Sequence, residues 1–333
     1  MNNQKLLAPN LAFKHPIMAI IAAVLLAALP LVSMPQPQAQ TWPSRVVKIV
    51  VSGNPGNASD ITARLLAQHL SVVWGQGVVV DNQPAGPGGI LAAQFTARAA
   101  PDGHTLMMAT TPQLAMNQFL FKSPGYDAER DFVPIVLVSR GPMMISVNPG
   151  LPVENLTELA AFSKARPGKV FFSVPGTRNL PHFLGEAFNQ LASAGMTPVP
   201  YRSGQAGSGT ASGDTQVYID AIQPMAPWID GGRLRPIAVF GPKRLPAYPA
   251  VPTAKESGFD VAMLAWMALV APAGTPPEVV ARINRDVNAV LARPEVAATF
   301  RGMFELGSSV REFEDYLAQE RKFWGKYLPT HGF

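Results

Sequence analysis

The chain has 333 residues, 47% of them hydrophobic, with 27 Lys and Arg against 22 Asp and Glu for a formal net charge of +5. It has no cysteine, which excludes disulfides, thiol chemistry, cysteine-ligated zinc and lipid attachment through a thiol. The basic residues are scattered rather than clustered, with no aromatic-interleaved stripe, so no nucleic-acid partner is expected.

The first elements in chain order read as an export signal. Lys5, Lys14 and His15 precede an almost wholly apolar run, Ile17 to Leu31, and Met34-Pro35-Gln36-Pro37 breaks any helix after it. That run is shorter than the ~20 residues of a membrane span, so residues 1–39 are read as a cleavable secretory signal. The signal carries lysine and no acid, leaving the mature chain mildly positive, a balance that leans towards anionic ligands. The remaining length suits two domains of ~150 residues each.

Short β-branched runs then alternate with helical patterns. Strands are expected at Val46–Val51, Gly77–Asp81, Thr105–Ala109, Ile135–Val138, Met143–Val147, Val170–Ser173, Val217–Asp220 and Pro236–Phe240. Helix starts are signalled by Asn155 with Glu158, by Thr275-Pro276-Pro277-Glu278, and by Ser309 with Glu312, each a capping pattern ahead of an apolar stripe. Such alternation predicts α/β layers with mixed, largely parallel sheets. Ser203 to Gly213 interrupts it: eleven residues without a large apolar side chain, read as a loop or as a helix held only by tertiary contacts.

Two segments carry the functional expectation. In the first, the strand Val46–Val51 runs into Ser52-Gly53-Asn54-Pro55-Gly56-Asn57 and a helix beginning near Asp60. In the second, Val170–Ser173 runs through Val174-Pro175-Gly176-Thr177-Arg178-Asn179 into a helix beginning near His182. A helix N-terminus fed by a glycine loop presents free N–H groups and the positive end of the helix dipole, which suits a carboxylate. Two such cradles would clamp a small anion between domains. Arg178 could pair bidentately with that carboxylate, or be a solvated or space-filling side chain. His182 could touch ligand, or cap its helix or sit in the core; Asp60 suits the dipole of the first helical turn. Trp266 could wall a cleft or belong to the core.

Catalytic motifs are absent: no G-x-S-x-G, H-E-x-x-H, phosphate loop or G-x-G-x-x-G occurs. His69, His104, His182 and His331 lack the spacing of a local metal site. A hydrolytic set of Asp60, Asp220 and His182 can be drawn, but no nucleophile at a strand–helix elbow accompanies it.

Ordered stretches through the mature chain resemble a known family, the tripartite tricarboxylate transporter substrate-binding proteins, or Bug receptors. They include Val80-Asp81-Asn82-Gln83-Pro84-Ala85-Gly86-Pro87-Gly88-Gly89, Ala100-Pro101-Asp102-Gly103-His104, Val199-Pro200-Tyr201-Arg202, Val251-Pro252-Thr253 and Leu269-Val270-Ala271-Pro272-Ala273-Gly274-Thr275-Pro276-Pro277-Glu278. The resemblance implies a two-domain periplasmic-binding-protein (Venus flytrap) fold, with residues 42–140 plus 266–333 as one domain and 141–265 as the other. It implies a periplasmic, monomeric, cofactor-free receptor, not an enzyme, that delivers a small organic anion to membrane permease subunits. A signalling receptor and a periplasmic hydrolase stay open as alternatives. The implied ligand contacts are Ser52, Gly53, Asn54, Gly56, Asn57, Thr110, Thr111, Gly176, Thr177, Arg178, Asn179, His182 and Asp220. The chain departs from the family pattern P-F/Y-x-P-G-G-x-x-D at Ser52, Gly53 and Asn57, and from G-x-G-S/T at Arg178. Gly207–Gly213 stands where a Leu-rich helix is usual. These departures bear on the class of ligand.

Overall fold

The computed structural model describes residues 42–53, 55–83, 86–202 and 205–330. The expected signal and Asn54 lie outside them. Among the described residues no helix is long and apolar enough to cross a membrane.

The first strands are near-continuous Val, Ile, Leu and Met because both their faces are covered. Strand β1 (Val47–Ser52) pairs parallel with β2 (Val78–Gln83) on one side and β3 (Thr105–Thr110) on the other. Helix α1 (Ala58–Trp74) connects β1 to β2, and α2 (Ile90–Ala97) connects β2 to β3. A wide helical turn, Pro112–Met116, and the short α3 (Asn117–Leu120) follow β3.

Two of the expected strands are one. Ile135–Val138 and Met143–Val147 belong to a single sixteen-residue strand, β4 (Phe132–Val147), which passes through Gly141-Pro142 without ending. Gly141 is required there by packing, since a Cβ would lie 2.3 Å from the Phe304 ring. Strand β4 is shared. Its first part pairs antiparallel with β9 (Leu264–Pro272), and residues Met143–Val147 pair antiparallel with β7 (Val217–Ala221) and β8 (Arg235–Val239). β7 lies parallel to β5 (Phe171–Val174), which lies parallel to β6 (Thr197–Pro200). The mixed sheet therefore runs β2-β1-β3-β9-β4-β7-β5-β6, parallel towards its ends and antiparallel through the middle, with β8 and the short β10 (Glu305–Leu306) on β4.

Helices cover both faces. Leu66 and Leu70 of α1 and Val280, Ile283, Val287 and Val290 of α8 (Pro277–Leu291) pack on one face of β1, β3 and β9. On the other face lie α2 and the C-terminal α10 (Val310–Thr330) through Phe313, Leu317 and Trp324. In the second half, α4 (Leu156–Lys164) and α5 (Leu180–Ala192) bury Leu156, Leu159, Phe183 and Phe188. Opposite them lie α6 (Ala206–Ser212) and α7 (Ile222–Asp230); the short α9 (Pro294–Thr299) completes the set.

The small-residue stretch is a helix, and tertiary contacts hold it. In α6 a Cβ on Gly207 would lie 2.6 Å from the Trp228 indole and one on Gly209 2.5 Å from the Tyr201 ring, so absent side chains let aromatic rings sit on the backbone. Thr210 ties the helix down through 2.7 Å hydroxyl contacts to Ser173 and Thr215. Of the three capping patterns, two form. The Asn155 side chain accepts from Glu158 N at 2.9 Å, and Ser309 and Glu312 cap each other reciprocally. The third does not: the buried Thr275 hydroxyl turns inward and donates to Pro272 O at 2.7 Å, leaving Pro276 to open α8 without a side-chain cap.

Candidate functional site

One cavity gathers most of the expected contacts. Its first wall is the β1–α1 turn. Gly53 and Gly56 take φ of 98° and 91°, turning the chain so that the first turn of α1 meets the cavity at Ala58 and Ser59. Asn57 caps α1: its side chain accepts from Asp60 N at 2.8 Å and donates back to Ser52 O at 2.9 Å. Behind it, Asp60 accepts from Gly56 N at 2.9 Å and is gripped by Arg64 and Asn82. Burial pushes the Asp60 carboxyl up, but the hydrogen bonds from Arg64, Gly56 and Asn82 outweigh it and hold the group below its ordinary range.

The second wall repeats the device. Asn179 caps α5, accepting from His182 N at 3.1 Å and donating to Pro175 O at 2.8 Å. In both cradles an asparagine bridges the carbonyl near the strand end and the N–H of the third helical residue, which leaves the N–H groups of Ala58 and Ser59 in α1 for a guest and that of Leu180 in α5, where Pro181 has none.

A third wall comes from β3 and its wide turn. Gln113, 3% exposed, accepts from both Thr110 N (2.9 Å) and Thr110 Oγ1 (2.6 Å). The carbonyls of this turn are supported from outside: Tyr126 donates to Gln113 O at 2.7 Å and Arg321 to Leu114 O at 3.0 Å. Gly89 (φ 73°) faces it so closely that a Cβ would lie 2.1 Å from Gln113 Nε2 and 2.6 Å from Ser52 Oγ. Met143, Ala265, Trp266 and Met267, from the paired strands β4 and β9, supply apolar lining. Trp266 is both core and wall: 1% exposed, it lines the cavity while its indole N–H donates to Glu320 at 2.8 Å.

The chain as a whole matches a known set of proteins. The family model described as "Tripartite tricarboxylate transporter family receptor" matches residues 62–326. The chain belongs to that receptor family. It is 37% identical over 282 residues to a UPF0065 protein of Bordetella bronchiseptica, covering 84% of this chain and 82% of that one. Among solved structures, it is similar to an R. palustris protein, Rpa4515, described with adipate (32% identity, TM-score 0.83, 87% and 98% of the two chains). It is also similar to MatC of Rhodopseudomonas palustris, described with bound malate (27% identity, TM-score 0.80, 86% and 99%). The fold is accordingly the two-domain periplasmic-binding-protein type, and the protein is a solute receptor.

Of the residues singled out by sequence, this receptor brings Ser52, Gly53, Asn57, Thr110, Thr111, Gly176, Thr177, Asn179 and Asp220 onto the one cavity. Gly56, Arg178 and His182 are not on its lining: Gly56 N donates to Asp60 and His182 N to Asn179 behind the two cradles, and Arg178 is exposed. Arg178 takes a φ of 53°, its N–H meets His182 Nδ1 at 3.2 Å, and its guanidinium lies over the Phe121 ring. Burial holds the His182 imidazole below its ordinary range, Glu186 pulling it up and Arg178 pressing it down. The hydrolytic set does not assemble: Asp60, Asp220 and His182 share no hydrogen bond among the described residues and keep separate partners. Nor do the described residues contain a cluster able to hold a metal ion.

Sequence reading missed Ser59, Gly86, Gly88 and Gly89 as lining, and Met143; the loop Thr110-Thr111-Pro112-Gln113, which the family resemblance implies reads the ligand, is on it. The Gly86-Pro87-Gly88-Gly89 run ahead of α2 is the one local signal that pointed there. Asp220 is 7% exposed on the cavity wall, accepting from Tyr218 OH and from Ala221 N, both at 2.7 Å. Burial pushes its carboxyl up to about 6, against the lowering pull of those two bonds.

Proposed function

We propose that this receptor is periplasmic, exported on the signal read in residues 1–39, and that it binds a small carboxylated solute and passes it to membrane permease subunits. The carrying observation is the pair of Asn-capped helix N-termini, α1 and α5, on one cavity whose described lining contains no Lys, Arg or His. An anion held there is met by backbone N–H groups and two helix dipoles, each contributing about 0.3–1 kcal/mol or more when shielded from water. Adipate and malate, the guests named for two similar structures, are both carboxylates.

Two lobes, 42–140 with 266–333 and 141–265, fit the way β4 divides its pairing between β9 and β7. The ligand then stabilises a closed state by touching both cradles, and shifts the equilibrium by its differential affinity for that state. No catalytic role and no cofactor is proposed, and the receptor acts as a monomer. Ser52, Gly53, Asn57, Thr110, Thr111, Gly176, Thr177, Asn179 and Asp220 are its proposed contacts.

The test is a thermal-shift screen of the mature protein against mono-, di- and tricarboxylates, amino acids and neutral analogues. A ligand at a hundred times its dissociation constant stabilises by about 2.7 kcal/mol. A shift with acids and none with their amides supports the reading; no shift with any acid overturns it.

A further inference from the structure

Asp220 is the one ionisable side chain on the described lining of the cavity. Among the described residues it has no ion-pair partner, and its carboxylate receives only the Tyr218 hydroxyl and the Ala221 N–H, which leaves each oxygen a second acceptor position. Tyr218 is itself buried, so its hydroxyl is committed to Asp220 and cannot turn to a ligand without leaving the carboxylate short of a donor. A buried carboxylate without a counter-charge is costly, and a bound group that donates to it removes that cost, whereas a second carboxylate adds to it.

Its position is set by the sheet. β7 runs parallel to β5 with Tyr218 opposite Ser173, so two residues on, Asp220 stands level with Pro175, where the second cradle begins; across β7 it pairs with Met144, beside Met143 on the lining. The first cradle and Asp220 line the same cavity, so a solute whose carboxylate sits on that cradle presents its other groups to the wall that carries Asp220.

We propose that Asp220 reads a hydrogen-bond donor on the ligand, so that the solute is a carboxylic acid bearing a hydroxyl or ammonium group rather than a second carboxylate. This assignment rests on the carboxylate-receptor reading above and narrows it. Asp220 then acts as a specificity residue: it accepts from the donor and repels a like charge at the same point. Arg178, the cation of the second cradle's loop, offers no counter-charge to a second carboxylate, being off the lining and engaged with Phe121.

The experiment is calorimetric titration of the mature protein at pH 7.5 with a four-carbon set: butyrate, its 2-, 3- and 4-hydroxy derivatives, the matching amino acids, and succinate. At least one hydroxy or amino acid should bind roughly tenfold or more tighter than both butyrate and succinate, as expected for a hydrogen bond to a charged group. Position along the carbon chain and the choice between hydroxyl and ammonium are read from which isomer wins. In Asp220→Asn that preference should fall several-fold while succinate tightens relative to wild type. Succinate binding best to the wild-type protein overturns the role of Asp220 and leaves the carboxylate reading standing. Failure of every acid in the set to bind, with a shift in the screen for some other carboxylate, overturns the narrowing alone. No binding of any acid in either experiment overturns both. The wild-type profile decides the matter even if the variant does not fold.

Discussion

The guanidinium of Arg178 lies over the ring of Phe121, 4.9 Å from its centroid. The contact joins the loop after β5 to the end of α3, elements that belong to opposite parts of the sheet. It also explains why an arginine at the mouth of an anion cradle does not enter the cavity: the ring holds the side chain, and the left-handed backbone at φ 53° directs it there. If the two parts separate on opening, this contact breaks. Arg178→Ala and Phe121→Ala should then each weaken ligand binding about two- to fivefold, a cation–π contribution of about 0.5–1 kcal/mol. The double variant should be no weaker than either single one, which a double-mutant cycle by calorimetry checks.

The two capping asparagines should behave alike. Asn57→Asp keeps the acceptor for Asp60 N but loses the donation to Ser52 O and adds negative charge to the cradle. Ligand affinity should drop at least tenfold while stability changes by no more than about 1 kcal/mol, because the lost bond to Ser52 O is offset by a charge that suits the helix N-terminus. Asn179→Asp should give the same pair of results, since its bonds to His182 N and Pro175 O have the same layout. Parallel titration and urea unfolding of the two variants is the measurement.

Gly89→Ala places a methyl where Gln113 Nε2 and Ser52 Oγ now sit, at a residue with φ 73°. The strain and the displaced Gln113 should cost roughly 1–3 kcal/mol of stability. Binding should fall further than stability, because Gln113 also holds Thr110 in place. Denaturant midpoints, compared with ligand titrations at a temperature where the variant is fully folded, separate the two effects.

The pH dependence of stability has a definite sign at Asp220. Its carboxyl titrates at about 6 in the folded chain against an ordinary 3.8, so between those values the folded state holds a proton that the unfolded state has released. Stability from this group is present below about pH 4 and is lost as pH rises towards 6, by an amount on the order of 3 kcal/mol. Asp60 works in the opposite direction, its lowered carboxyl contributing stability that is lost in acid. The difference between wild type and Asp220→Asn isolates the first effect. The variant should gain stability relative to wild type on going from pH 4.5 to pH 7.5, as measured by ligand-free thermal unfolding; a constant difference across that range would contradict it.

What could be read from the sequence alone was whatever depends on neighbours a few residues apart. The apolar run of β1, the glycines that turn it, and a helix start expected near Asp60 all lie within about fifteen residues, and so do their counterparts from Phe171 to His182; the structure begins the two helices two residues earlier, at Ala58 and Leu180, behind the Asn57 and Asn179 caps. Strand–helix alternation and the receptor family followed from such local patterns. The tertiary structure decided the rest. It joined two expected strands into β4, because pairing with β9 and β7 carries the chain through Gly141-Pro142. It made a helix of a stretch with no apolar stripe, because Trp228 and Tyr201 cover its glycines. It brought Gly88, Gly89 and Met143 to the cavity beside the expected contacts and sent Arg178 to Phe121 instead. Periodicity and capping are short-range and written in consecutive residues, whereas burial, and with it the protonation of Asp220 and the choice of ligand, comes from side chains far apart in the chain that only the paired strands of the sheet place together.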